Sequence, residues 1–314
     1  MESLIYSLNA TVPIFAVIFL SYLLRRHGFF SDGFLATADK LVFRVLLPAL
    51  LFRDIAAGRI TETFDARFFL FCAVSTTIYF LVIWLGAELF LKDKSMVGAF
   101  VQGSFRGSLA VLGVAFVQNI YGDAGLAPLM IVATVPLYNI YSVIVLTVRS
   151  NDRAAQEGRL KKTLTGIATN PIILGILAGL PFSLLAVDFP PMVAKTLDLL
   201  AAPATPLALI SIGAGFEGRR ALRKLRPTAA AAFIKLILIP AVFLPVAVWM
   251  GFRNEALVAL VIMTGAPSTV TCYIMAKNMA GDHVLSSSIV VATTALSSIT
   301  MTAILFILKS NGLI

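Results

Sequence analysis

Two short polar stretches interrupt long apolar ones, and their residue types suit the capture of a small anion. The first reads Val101-Gln-Gly-Ser-Phe-Arg-Gly-Ser-Leu109 and the second Met263-Thr-Gly-Ala-Pro-Ser-Thr-Val-Thr271. Arg106 supplies a permanent charge whose planar fork fits a carboxylate, and Gly107 lets backbone approach a ligand closely. Pro267 suits the first turn of a new half-helix, where its missing N–H costs nothing. A helix restarting there exposes unpaired amides at the positive end of its dipole, a ready anion site. Gln102, Arg106, Gly107 and Ser108 from the first stretch, with Pro267, Ser268, Thr269 and Thr271 from the second, are therefore candidate ligands for a small mono- or dicarboxylate. No spacing suggests a metal site and no motif suggests a cofactor.

The elements that must carry these residues are membrane-spanning. The chain has 314 residues, of which 59% are hydrophobic and 13% charged, with a mean hydropathy of +0.93. Soluble domains average about 45–50% apolar and about 25% charged, so a water-soluble enzyme, a disordered chain and a disulfide scaffold are excluded. Spans of roughly 20 apolar residues number ten. They run from Leu8 to Leu24, Ala38 to Ala57, Ala66 to Phe90, Met96 to Ile120, Gly125 to Val148, Thr163 to Ala186, Pro191 to Ala214, Pro227 to Met250, Glu255 to Asn278 and Val284 to Leu308. The expected class is an all-α polytopic membrane protein. Arg106 falls about ten residues into the fourth span, roughly 15 Å deep at 1.5 Å per residue, near mid-bilayer. The second stretch falls at similar depth in the ninth.

The net charge of +9 reads as loop charge, not as a nucleic-acid surface. Sixteen of the 25 Lys and Arg residues lie in one alternating set of connections and six in the other, which places the first set in the cytoplasm and both termini outside. The start, Met1-Glu2-Ser3, has no basic region or cleavage signal, so the first span is expected to be a retained helix.

The longest connection, 149–162, divides the chain five spans plus five. Pro13 and Pro171, and Pro48 and Pro206, are each 158 residues apart, and Asn119-Ile-Tyr-Gly-Asp123 matches Asn278-Met-Ala-Gly-Asp282 at 159. These matches predict an internal duplication: 1–148 as one repeat, 149–162 as a cytoplasmic linker and 163–314 as the second. An odd number of spans per repeat inverts the copies, and inverted repeats belong to secondary transporters with ligand sites at the midplane on broken helices. The fourth and ninth spans occupy equivalent positions, since Arg106 plus 158 is Thr264.

Other polar residues read as structural. Arg44 can snorkel to the cytoplasmic edge, and Glu88 is expected to pair with Lys235 or with Arg44. Asp198 and Lys195 sit near the outer face. Asn170, before Pro171, is expected to cap a kink, and Pro13, Pro48, Pro171 and Pro206 to shape their helices. Cys72 and Cys272 read as small core residues. No Asp or Glu is expected at central depth, so Arg106 has no obvious acidic partner, and a charge at mid-membrane is costly and usually functional.

Four segments resemble the auxin efflux carrier family: Thr205-Pro-Leu-Ala-Leu-Ile-Ser-Ile-Gly213, Asn170-Pro-Ile-Ile-Leu-Gly175, Phe43 to Phe52 with its Leu-Leu-Pro-Ala-Leu-Leu centre, and Ser104-Phe-Arg106. The bacterial branch of that family includes malonate and other organic-acid permeases. The resemblance implies ten helices in two inverted five-helix repeats, a fold shared with bile-acid sodium symporters, in the bacterial inner membrane. It implies a scaffold of spans 1, 2, 6 and 7, a transport domain of spans 3–5 and 8–10, and broken helices 4 and 9 that cross at the substrate. It also implies a homodimer and an elevator motion. The family's crossover positions would be Arg106, Gly107 and Ser108, and Pro267, Ser268 and Thr269. Ser108 and Thr271 stand where Asn is common in the family, and Ala115 where Pro is, so an auxin assignment is not supported.

Rival classes lack residues. An intramembrane serine protease wants a His beside a membrane-embedded Ser, whereas His27 and His283 are expected in loops. Prenyl-transfer chemistry wants acidic clusters, which are absent, and no soluble segment is long enough for a signalling domain. An anion channel would differ in failing to saturate. A sodium-coupled symporter of the same fold would need several oxygen ligands; the central spans offer hydroxyls, carbonyls, Gln102 and Asn139.

Overall fold

The computed structural model describes residues 2–57, 64–109, 117, 121, 125–149, 165, 168–216 and 218–314, with side chains from residue 12 onward except at 218–220. Every regular element among them is helical: α1 (Glu2–Arg26), α2 (Asp32–Leu41), α3 (Leu47–Ala56), α4 (Ala66–Phe90), α5 (Val97–Phe105), α6 (Ala127–Val148), α7 (Pro171–Leu184), α8 (Pro191–Ala201), α9 (Ala204–Ala214), α10 (Gly218–Arg223), α11 (Leu225–Phe233), α12 (Ile239–Trp249), α13 (Asn254–Gly265), α14 (Thr271–Asn278) and α15 (His283–Ser310). Among the described residues, five stretches are long and apolar enough to cross a membrane: Ala66–Phe90, Ala127–Val148, Pro191–Ala214, Leu225–Trp249 and His283–Ser310.

The apolar faces point in both directions. On α4, Leu70, Val74, Ile78, Leu81, Leu85 and Leu89 are exposed at helical spacing, a stripe that suits lipid. The opposite face, with Phe68, Cys72, Tyr79 and Phe80, is buried. By contrast α13 is apolar all round, and every residue from Leu257 to Gly265 is buried, as expected of a half-helix inside the bundle.

Caps explain several boundaries that differ from the expected ones. The second segment starts at Asp32 and not at Ala38, because Ser31 caps it by accepting from the Phe34 amide at 3.1 Å, and Asp32 favours the positive helix end. The sixth is interrupted at Asn170, whose Oδ1 accepts from the Ile172 amide at 3.0 Å, with Pro171 opening the next helix; this is the expected cap. The seventh divides at Ala202 and Pro203. Before the fourth, Asp93 caps the turn Lys94–Met96, and the Ser95 hydroxyl and amide hold its carboxyl below the usual range. Pro13 lies inside α1 without ending it, and Pro206 lies in the first turn of α9. The matched segment 119–123 and the linker residues 150–162 lie outside the described residues.

Two π-turns stand before prolines. Val42–Leu46 precedes Pro48, and Ile234–Leu238 precedes Pro240. A proline lacks the N–H that would bond four residues back, and the chain adjusts by a wider turn. Each wide turn carries a basic residue, Arg44 on an exposed face and Lys235 fully buried.

Helix packing brings α1 against α9 and α3 against α7, with α4 against α6 and α11 against α15. The expected pairing of Glu88 with Lys235 or Arg44 is not what forms. Glu88 is gripped by both arms of Arg149, Nε at 2.6 Å, and accepts from Trp84 Nε1 at 3.0 Å. Arg149 follows α6, which runs beside α4 and ends at the level of Glu88, whereas Lys235 turns inward. Glu88→Lys should therefore lower stability by about 1 kcal/mol, a partly exposed bidentate pair, and Arg149→Glu should restore it in the double variant. Thermal unfolding of the four proteins in detergent checks this; rescue by Lys235→Glu instead would contradict it.

Candidate anion site at two helix breaks

Helix α5 stops at Phe105 because Arg106 turns extended, φ −78° and ψ 142°. Helix α13 stops at Gly265 in the same way, Ala266 having φ −62° and ψ 146°. At Ala266 the cause is local: a residue before proline is pushed out of the helical region. Pro267 thus lies in the extended bridge and not in the first turn of the following half-helix, which begins at Thr271, so its expected role is corrected. The two breaks touch. The Ser108 amide donates to the Pro267 carbonyl at 2.9 Å, and the Ser268 hydroxyl donates to the Gly103 carbonyl. Residues 110–116 lie outside the described residues.

Arg106 is 3% exposed. Its Nη1 donates to Ser142 Oγ at 3.2 Å and meets Met275 Sδ at 2.9 Å, and its Nη2 donates to Asn139 Oδ1 at 3.0 Å. Asn139 is oriented for this by its own Nδ2, which donates to the Val135 carbonyl at 2.9 Å. Nε is buried without a partner. Among the described residues no carboxylate lies within ion-pair distance of the guanidinium. Asn139 and Ser142 are three residues apart on α6, hence on one face, a spacing visible in the sequence; Met275 had no such signal.

The Arg106 backbone is fixed by its neighbours. Phe105 packs between Phe80 and Tyr138, with ring centroids 5.1 and 5.6 Å away. A hydroxyl chain runs from Thr76 to Tyr79 at 3.0 Å and on to Tyr138 at 2.8 Å, and Tyr138 donates to the Met263 carbonyl at 3.3 Å. The chain therefore ties α4 and α6 to the last turn of α13.

A cavity of about 90 Å³ lies between the breaks and the helices facing them. Arg106, Gly107, Ser108, Pro267, Ser268, Thr269 and Thr271 all line it, so seven of the eight candidate residues come together. Gln102 does not. It is buried one turn back, where Nε2 donates to the Cys272 carbonyl at 2.8 Å and ties α5 to α14.

The amide donors are fewer than expected. The Ser108 amide is taken by Pro267 and the Ser268 amide by Thr293 Oγ1 at 3.1 Å. Among the described residues, the amides of Gly107 and Thr269 take no acceptor. The Thr269 and Thr271 hydroxyls lie 3.2 Å apart. The opposite wall brings Leu47, Leu51, Thr205 and Asp54. Asp54 brings a carboxylate to this wall; Arg53 pairs with it at 2.8 Å, and Arg53 also reaches Asp198 at 3.4 Å.

A family profile described as "Membrane transport protein" matches residues 6–305. A protein of Rhizobium meliloti (strain 1021) named "Putative malonate transporter" is 28% identical over 323 aligned positions, covering 96% of each chain. "Uncharacterized transporter YfdV" of Escherichia coli (strain K12) is 24% identical, covering 87% of this chain and 88% of its own. An "Uncharacterized transporter" of Methanothermobacter thermautotrophicus is 20% identical, covering 94% and 96%.

Proposed function

The chain belongs to the membrane transport protein family, the auxin efflux carriers, and from that premise we propose that it is a secondary carrier of small organic anions, mono- or dicarboxylates such as malonate. The observation that carries this reading is Arg106: a buried guanidinium on the wall of the cavity, met among the described residues by neutral partners alone, with Nε unpartnered. A fixed buried cation without an acidic partner is expensive in a membrane interior, and a carboxylate arriving beside it would relieve that cost. The amides of Gly107 and Thr269 and the hydroxyls of Thr269 and Thr271 would complete the anion's ligands. The name of the Rhizobium meliloti relative supports a carboxylate of malonate size.

The reading carries an architecture with it: two inverted five-helix repeats, 1–148 and 163–314, joined by 149–162. The packing supports this. Exchanging the first five segments for the last five turns the pair α1 and α9 into α7 and α3, and the pair α4 and α6 into α11 and α15; all four pairs are in contact. The cavity lies between segments 1, 2 and 7 on one side and segments 4, 5, 9 and 10 on the other. That is where a transport domain sliding past a scaffold would carry its cargo, as an elevator in an inner-membrane homodimer with both termini outside.

Counterflow tests the reading. Proteoliposomes loaded with unlabelled malonate should accumulate labelled malonate saturably, and other small carboxylates, but not amines of the same size, should compete. No exchange with any carboxylate, from protein shown to be folded, would overturn it; a flux still linear at tens of millimolar would replace the carrier by a channel.

A further inference from the structure

Among the described residues Lys235 is a second cation buried at the helix breaks, with 0% exposure. It projects from the π-turn Ile234–Leu238, and its Nζ donates to the carbonyls of Thr264 at 3.0 Å and Met263 at 3.3 Å. Both carbonyls belong to the last turn of α13. Among the described residues no carboxylate pairs with it. A Cβ placed on Gly107 would lie 3.4 Å from Nζ and 3.5 Å from the Ala266 side chain, so the ammonium stands where the two breaks meet.

The last four carbonyls of a helix have no intrahelical partner and carry the negative end of its dipole. In the interior of a bilayer such an end needs donors or a cation, and in carriers built on broken helices these C-terminal ends are where coupling cations are coordinated. Here an ammonium on a four-carbon stem already does that. We propose that Lys235 is a tethered cation occupying the position at the end of Asn254–Gly265 that a coupling sodium ion would otherwise take. Exchange by this chain then proceeds without sodium, and Lys235 adds positive potential beside Arg106. The part concerning exchange rests on the anion-carrier reading; the part concerning the cation position does not.

The π-turn supports the assignment. A wide turn of this kind is often found at functional sites, and here it presents Lys235 to the last turn of α13, beside Gly107. In the last turn of α5 the Gly103 and Gln102 carbonyls accept from neutral donors, the Ser268 hydroxyl and the Cys272 thiol, whereas in α13 the Met263 and Thr264 carbonyls accept from the Lys235 ammonium.

Two measurements on the full-length protein decide it. In detergent, the melting temperature of wild type should be the same in sodium chloride and in choline chloride at equal ionic strength. That of Lys235→Ala should be lower in choline and rise saturably with sodium. In proteoliposomes, wild-type malonate exchange should agree within twofold in the two salts. Lys235→Ala should lose at least tenfold in choline and recover with sodium or ethylammonium, while Lys235→Arg should remain indifferent to sodium. A purely structural lysine would give no recovery with a free cation. Wild-type exchange or stability that climbs steeply with sodium overturns the proposal, as does a folded Lys235→Ala that sodium neither stabilises nor reactivates. If Lys235→Ala does not fold, the wild-type salt comparison and Lys235→Arg decide. Absence of carboxylate exchange by wild type sinks the anion-carrier reading alone, because the melting experiment contains no substrate.

Discussion

Arg106→Gln should lower the affinity for a carboxylate by at least about 30-fold and leave a folded protein. Losing one partner of a buried, hydrogen-bonded charge pair costs about 2–5 kcal/mol, and each 1.4 kcal/mol is a factor of ten. The fold should tolerate the change because the neighbours of Arg106 are neutral: Ser142, Met275 and Asn139. Removing the charge strands no buried carboxylate, the usual reason that breaking a buried pair is destructive. Arg106→Lys should fall between the two, keeping the charge and losing the fork. Malonate titration of the purified variants, beside their melting temperatures, checks both halves. Unchanged affinity in Arg106→Gln would make this arginine a structural residue.

The second large effect concerns the helices facing the breaks. Gly213 on α9 lies against the backbone of α1, so that a Cβ there would collide with the Ile18 carbonyl oxygen and come within 2.8 Å of Ser21 Cβ. Gly175 on α7 lies against Pro48 on α3 in the same fashion, with the Pro48 Cα 2.9 Å from where its Cβ would be. Close helix contact through small residues is the membrane protein's substitute for a hydrophobic driving force. The obstacle in both cases is backbone, which cannot rotate aside. Gly213→Val and Gly175→Val should each cost about 3 kcal/mol, the upper part of the range for overpacking, and show as a large loss of melting temperature or of folded yield. Gly86 is the control, since a Cβ there meets nothing within 4 Å. Equal stability of Gly213→Val and Gly86→Val would contradict the packing described.

Much of the path to the site was legible because it rests on local chemistry. The apolar run from Ala66 to Phe90 predicts its helix to the residue, and glycines around a lone arginine mark one break and Gly265-Ala-Pro267 the other. Asn170 before Pro171 announces a cap, and a cap is what forms. What was not legible depends on which distant elements touch. Glu88 pairs with Arg149 because α4 and α6 run side by side, and nothing in the spacing of Glu88 and Lys235 says otherwise. Likewise Ser268 looks like an anion ligand from its neighbours alone. Only the packing reveals that its amide is claimed by Thr293 and its hydroxyl by Gly103. The sequence does not single out Asp54; its position on the cavity wall follows from how α3 sits against the breaks.

The central claim is that a carboxylate binds where the two broken helices meet. A heavy-atom analogue tests it most directly: crystals grown with bromomalonate, a competitor in the exchange assay, should show the anomalous bromine signal in the cavity bounded by Arg106, Gly107 and Thr269, with a carboxylate at hydrogen-bond distance from the guanidinium. A bromine signal at another site, with this cavity vacant in a protein that still exchanges malonate, would contradict the account.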